Sequence, residues 1–214
     1  MTPFQFSSPG SFPHAGSPPD LVVYLHGFRS SSRSVKAQKV IDVFHRAGLG
    51  GQLWVPDLPA SPEAAMHLVQ SQLHDRLASQ PDLSIAFVGS SLGGYYATVL
   101  GEQYPQSKVV LLNPAIEPHL DLRDQLGKKT VYFTEEEFEF VPAYLDTLEA
   151  MRTVSLTRPE RYFLVAAAGD EVLNCDTMLA RYPGAHCLHL LGSDHALSDF
   201  DDLLPFVRLF LGVV

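Results

Sequence analysis

Ser91 is the residue around which a reaction could be built. It is the third member of Gly89-Ser90-Ser91-Leu92-Gly93, a G-x-S-x-G string that follows the apolar run Ser84 to Val88 and opens an apolar, helix-forming stretch. The bare pentapeptide arises easily by chance, but this context is where a nucleophile elbow has to stand. A serine on a tight strand-to-helix turn is held in strained backbone angles with its Oγ above the sheet edge, and the flanking glycines leave room for neighbouring backbone. The register selects Ser91 over Ser90.

A serine hydroxyl at neutral pH is a poor nucleophile and needs a base that an acid orients. When such groups sit at the carboxyl ends of successive strands, the chain order nucleophile, acid, base is one of the recurring solutions. Asp170 follows the strand-like run Tyr162 to Ala167, and His195 follows Ala185 to Leu191. His195 is therefore the expected base and Asp170 the expected acid. The end of the preceding strand could also hold the acid, but it carries Asn113; Glu117 is the reserve carboxylate there. Asp194 adjoins His195 and should point away from its imidazole in an extended loop. His186 and His189 fall inside a strand and fit packing or surface roles, and His45, His67 and His74 fall on helices without making a metal motif.

A developing oxyanion needs two backbone donors. Leu92 N–H, directly after the serine, is one candidate. Phe28 N–H, in His26-Gly27-Phe28 after the first strand, is the other, and His26 reads as a brace for that loop. Tyr95, Tyr96, Phe138 and Phe140 suit core packing better than an acyl pocket.

The elements that must position these groups alternate. Leu21 to Leu25 is a continuous apolar run of the kind buried on both faces. Val40, Val43, Phe44 and Ala47 follow a helical spacing that stops at Gly48. A short strand near Leu53 to Val55, a helical stripe Met66, Val69, Leu73, Leu77, the strand Ser84 to Val88, and a helix over about 91–103 come next. Lys108 to Leu112, Tyr162 to Ala167 and Ala185 to Leu191 complete six strands, and Phe200, Leu203, Leu204, Val207 and Leu211 mark the last helix. This alternation predicts an α/β fold, a mostly parallel sheet of about six strands flanked by helices. Residues 116–158 interrupt it as an insertion between the fourth and fifth strands, expected to be a cap, with a surface excursion of no functional part as the alternative. Within it Thr134-Glu135-Glu136-Glu137 reads as a helix-starting capping box and Pro142 as a helix breaker. Residues 1–20 carry five of the sixteen prolines and are expected to be a Pro/Gly/Ser-rich arm that joins no sheet, leaving 21–214 as one domain.

Composition narrows the function. The 214 residues sum to a net charge of −9, which argues against a nucleic-acid partner or a membrane-surface role, since both need a basic face. The 19-residue uncharged stretch Leu83 to Gly101 divides into strand, glycine turn and helix, so no membrane span is expected. No secretory signal is evident, and two cysteines, Cys175 and Cys187, fit a reducing compartment; a cytoplasmic location is the expectation.

The segments HGFRSSSRSVKA (26–37), PDLPASP (56–62), GSSLGGYYATVL (89–100), NPAIEPHLDLRDQLG (113–127), GDEVL (169–173) and DHAL (194–197) resemble the small bacterial YqiA/YcfP-type esterases, which are compact α/β-hydrolases. The resemblance runs from about Leu21 to the C-terminus. It implies a nucleophile at Ser91, an acid at Asp170 and a base at His195, in a cytoplasmic, cofactor-free hydrolase of carboxylic esters or thioesters. Two departures stand out: the Pro-rich first twenty residues, which short members lack, and Ser32 where a proline is common. The expected activity is a serine esterase acting on small acyl esters without metal or cofactor. An acyl thioesterase, or a catalytically silent binding protein of the same fold, is the alternative; protein partners are open.

Overall fold

In the computed structural model, which describes residues 2–10, 12, 17–132, 134 and 136–213, nine strands and seven helices follow one another. In chain order they are β1 (Phe4–Ser7), β2 (Leu21–Leu25), α1 (Val35–Arg46), β3 (Leu53–Trp54), α2 (Pro62–Ser79), β4 (Ile85–Ser90), α3 (Leu92–Gln103), β5 (Lys108–Leu112), α4 (Pro118–Asp121), β6 (Gly127–Thr130), β7 (Glu137–Phe140), α5 (Pro142–Ala150), β8 (Tyr162–Ala167), α6 (Cys175–Arg181), β9 (His186–Leu190) and α7 (Phe200–Leu211). Seven strands form the main sheet in the order β1-β9-β8-β5-β4-β2-β3, and β6 pairs with β7 apart from it. All neighbours in the main sheet run parallel except β1, which lies antiparallel on β9.

The continuous apolar runs have a simple cause. Successive residues of a strand face opposite sides, so a sheet covered twice needs apolar residues at every position. Leu21, Val23, Leu25, Phe87, Val109, Leu111 and Leu164 pack in the core under α2 and α3. Val22, Tyr24, Ala86, Val88, Val110, Leu112, Phe163 and Val165 pack in the core under α1 and α7. The charge-free stretch 83–101 is buried protein interior: β4, a turn and α3. Among the described residues no helix is long and apolar enough to cross a membrane.

Three expectations change. The N-terminal arm does join the sheet, as β1, with Phe4 paired to Leu190 and Ser7 to Cys187, so the sheet has seven strands. Its prolines lie outside the short Phe4–Ser7 run, and an edge strand needs only one bonded side. Phe4 packs edge-on against Phe206 of α7 at 5.5 Å, and Phe12 against Phe163 at 5.2 Å. The capping box starts no helix. Glu135 lies outside the described residues, while the Thr134 hydroxyl accepts the Glu136 amide at 3.2 Å, bending the chain into β7. Side chain-to-backbone bonds of this kind serve turns as readily as helix starts. Pro142 interrupts nothing: it occupies the first position of α5, where its missing N–H costs no bond.

Candidate active site

β4 ends at Ser90 and α3 begins at Leu92, leaving Ser91 alone on the turn with φ 55° and ψ −122°. Neighbouring glycines make that turn possible. A Cβ on Gly93 would stand 2.0 Å from the Leu25 carbonyl oxygen, and one on Gly89 would stand 2.2 Å from the Gly93 carbonyl oxygen. Backbone bonds secure the serine: its amide donates to Leu112 at 3.1 Å, and its carbonyl accepts from Ala115 at 3.0 Å.

The three expected side chains meet here. His195 Nε2 lies 3.1 Å from Ser91 Oγ, and His195 Nδ1 lies 2.8 Å from Asp170 Oδ2. These contacts span 104 and 25 positions of chain. The Asp170 side chain is fully buried, and His195 keeps about a fifth of its side-chain surface exposed. Burial alone would raise the Asp170 pKa. Hydrogen bonds from His195 and from the Leu173 and Val172 amides outweigh it and hold the carboxyl below its usual value. Asp170 is therefore an anion that orients Nδ1–H and leaves Nε2 facing the serine.

The rejected acids are engaged elsewhere. Glu117 pairs with Arg152 at 3.3 Å. Asp194 accepts from the amide and hydroxyl of Ser198. His186 contacts Ser8 Oγ at 2.7 Å and stacks edge-on against Phe12. Both cysteines are free thiols. Among the described residues no group of three or more His, Cys, Asp or Glu side chains could hold a metal ion.

The proposed oxyanion donors flank the serine. Leu92 is the first residue of α3, so its amide has no acceptor within the helix. The loop after β2 comes close on the other side: a Cβ on Gly27 would lie 3.1 Å from Ser91 Cβ and 3.6 Å from Oγ. Neither the Phe28 nor the Leu92 amide donates to another described residue. Buried His26 braces this loop, as expected. Its Nε2 accepts the Leu58 amide at 2.9 Å, which leaves Nδ1 as the donor to the Gly27 carbonyl at 3.0 Å. Burial lowers the pKa of His26, favouring the neutral ring this arrangement needs.

Three supports escaped the sequence reading. Asn113, fully buried with φ 43°, accepts the Ala167 amide at 2.9 Å and donates to the Asp194 carbonyl at 3.0 Å. It ties the end of β8 to the loop that carries His195. Lys36 on α1 donates to the Ala196 carbonyl at 2.8 Å, and burial, opposed by Asp194 and Asp170, lowers its pKa to about 8. Glu171 accepts the His195 amide at 3.0 Å. Lys36, Asn113 and Glu171 lie inside the 26–37, 113–127 and 169–173 segments that carry the resemblance, which were the available signal. Strain gathers in the same place. Of six non-glycine residues with positive φ among those described, Arg29, Ser91, Asn113, Ser193 and Leu197 border the site, and only Arg158 stands apart.

A cavity of about 250 Å³ opens beside the Gly27–Phe28 loop, lined in part by Leu58, Leu92, Tyr96, Val131 and Phe138. Tyr96 and Phe138 thus border open space as well as packing in the core. Tyr95 and Phe140 are buried, the former with its hydroxyl donating to the Leu148 carbonyl.

The parallel sheet, the strained serine turn between β4 and α3, and the loops after β8 and β9 define an α/β-hydrolase fold. Solved structures agree on the fold. Est1E from Butyrivibrio proteoclasticus superposes with a TM-score of 0.63 at 13% identity, over 91% of this chain and 87% of its own. Alpha/beta hydrolase domain-containing protein 10 from mouse gives 0.60 at 16% identity, over 96% and 99%. The esterase domain of a Rhodothermus marinus protein gives 0.57 at 18%, over 93% and 88%. Within that fold, the chain belongs to the uncharacterised protein family UPF0227, whose model matches residues 21–212.

Proposed function

We propose that this protein is a serine hydrolase of carboxylic esters, with Ser91 as nucleophile, His195 as general acid and base, and Asp170 as the group that orients the imidazole. The observation that carries the reading is the continuous chain of contacts, Asp170 to His195 at 2.8 Å and His195 to Ser91 at 3.1 Å, on a strained strand-to-helix turn. Esterases among the structural neighbours agree with it.

In the first half-reaction Ser91 Oγ bonds to the ester carbonyl carbon as its proton passes to His195 Nε2. The carbonyl oxygen becomes an oxyanion facing the Phe28 and Leu92 amides. The carbon–oxygen bond to the alcohol then breaks, and the leaving oxygen takes the proton from Nε2. In the second half, water gives a proton to Nε2 and adds to the acyl-enzyme. Collapse returns the proton to Ser91 Oγ and releases the acid. A thioester would pass through the same acyl-enzyme with a thiol leaving. The substrate is a small molecule and the chemistry needs no metal or cofactor; a cytoplasmic setting suits the free thiols.

The test is steady-state hydrolysis of p-nitrophenyl acetate and butyrate by wild type, Ser91→Ala and His195→Ala. Wild-type turnover that falls by about 10³-fold or more in each variant supports the reading. A folded wild type without turnover, or a Ser91→Ala protein as active as wild type, contradicts it.

A further inference from the structure

We infer that the acyl group of the substrate seats in the cavity beside the Gly27–Phe28 loop, and that Phe138 of the insertion sets the acyl length; the inference rests on the ester-hydrolase reading above. The geometry of the tetrahedral carbon allocates the space. Its four substituents are Ser91 Oγ, the oxyanion, the leaving group and the acyl chain. The oxyanion faces the Phe28 and Leu92 amides. The leaving oxygen has to lie against His195 Nε2 to take its proton. The acyl chain is left with the side away from His195. The cavity adjoins the site there: Gly27, Phe28 and Leu92, which flank Ser91, line it, while Ser91, His195 and Asp170 themselves do not.

Its lining is mixed: Leu58, Leu92, Tyr96 and the ring of Phe138 give it an apolar part, and polar residues including buried His26 and Ser31 line the rest. An uncharged acyl chain fits the apolar part of the wall, to which Phe138 belongs. At about 250 Å³ the space falls below the roughly 300–1,000 Å³ of pockets that enclose drug-sized ligands. The acyl group it takes is short.

The wall is a fixed part of the site rather than a free flap. Arg29 Nε donates to the Thr130 carbonyl at 2.9 Å, and the Tyr132 amide donates back to the Arg29 carbonyl at 2.6 Å. The Arg29 guanidinium lies 4.5 Å from the centre of the Tyr132 ring. Phe28 meets Phe138 at 5.9 Å and Phe140 at 4.9 Å, both edge-on. The β6–β7 hairpin and the oxyanion loop therefore hold each other, and Phe138 stands where they meet. Removing its ring lengthens the pocket without removing a hydrogen bond of that clasp.

The experiment compares kcat/KM for p-nitrophenyl esters from acetate to palmitate, at constant leaving group, in wild type, Phe138→Ala and Phe138→Trp. Wild type is expected to favour the shortest chains. Phe138→Ala should raise the octanoate-to-acetate ratio roughly ten-fold or more, the scale of a few methylenes gained in an apolar pocket, and Phe138→Trp should lower it. The tryptophan variant keeps the wall filled, so it reports even if the alanine variant folds poorly. Hydrolysis with the same chain-length profile in wild type and a folded variant overturns the role of Phe138, and a wild-type preference for palmitate overturns the short pocket; both leave the esterase reading standing. Absence of hydrolysis by folded wild type overturns the reading itself, and the pocket assignment with it.

Discussion

Ser91 sits at a backbone angle that ordinary residues avoid, at a cost of about 1–3 kcal/mol. The surrounding bonds and close backbone contacts impose it, and the return is a hydroxyl held 3.1 Å from His195 Nε2. Asp170 is the next determinant. Replacing it with asparagine keeps the shape but lets the side chain donate to Nδ1, favouring the tautomer with its proton facing the serine. Asp170→Asn is expected to lower kcat by about 10³–10⁴-fold, read by ester turnover. The same substitution has a pH signature. The Asp170 pKa is lowered in the folded protein, so its carboxylate contributes stability above the unfolded value near 3.8, and that contribution is lost as pH falls through the folded value. Urea melts at several pH values should show wild type more stable than Asp170→Asn at pH 7, with the gap shrinking below about pH 4.

At the scale of elements, the loop after β9 is what must be kept in place. Lys36 from α1, Asn113 from the end of β5 and Glu171 from the loop after β8 all bond main-chain atoms of residues 194–196. Lys36→Met is expected to reduce kcat/KM by about 10- to 100-fold, from the roughly 1.5–3 kcal/mol of a charged hydrogen bond, with most of the loss in kcat. Lys36→Arg should recover part of it, and a loss confined to KM would contradict a positioning role. These supports show where sequence reading stops. The strands β2, β3, β4, β5, β8 and β9 and the helices α1, α2, α3 and α7 were legible because hydrophobic period is local, and Ser91, Asp170 and His195 because each follows one of those strands. Lys36 lies 160 positions from the carbonyl it holds, and it binds backbone, which leaves no trace in side-chain type. Phe4–Ser7 was hidden for a different reason. Nearby prolines masked a four-residue strand whose partner, β9, comes some 180 residues later. Thr134 shows the ambiguity of a local pattern, since the same hydroxyl-to-amide bond that starts a helix here closes a turn.

Across the whole molecule the sheet sets the arrangement. Its parallel strands direct their carboxyl ends to one edge, where the loops carrying Phe28, Ser91, Asp170 and His195 converge. The opposite concern is the other side of the sheet, where β9 would be an exposed edge without β1. Deleting residues 1–12 removes β1 and the Phe4 and Phe12 contacts. A loss of about 2–3 kcal/mol is expected from that apolar burial, seen as a drop of about 4–12 °C in Tm, with ester turnover retained below the transition. A truncated protein as stable as the full chain would show that β1 only decorates the edge.

The most direct measurement is intact-mass labelling with a fluorophosphonate, an electrophile that reacts preferentially with an activated serine. One adduct per chain is expected on wild type, absent from Ser91→Ala and formed far more slowly on His195→Ala. No adduct on the folded protein, or an adduct that survives in Ser91→Ala, would contradict the account at its centre.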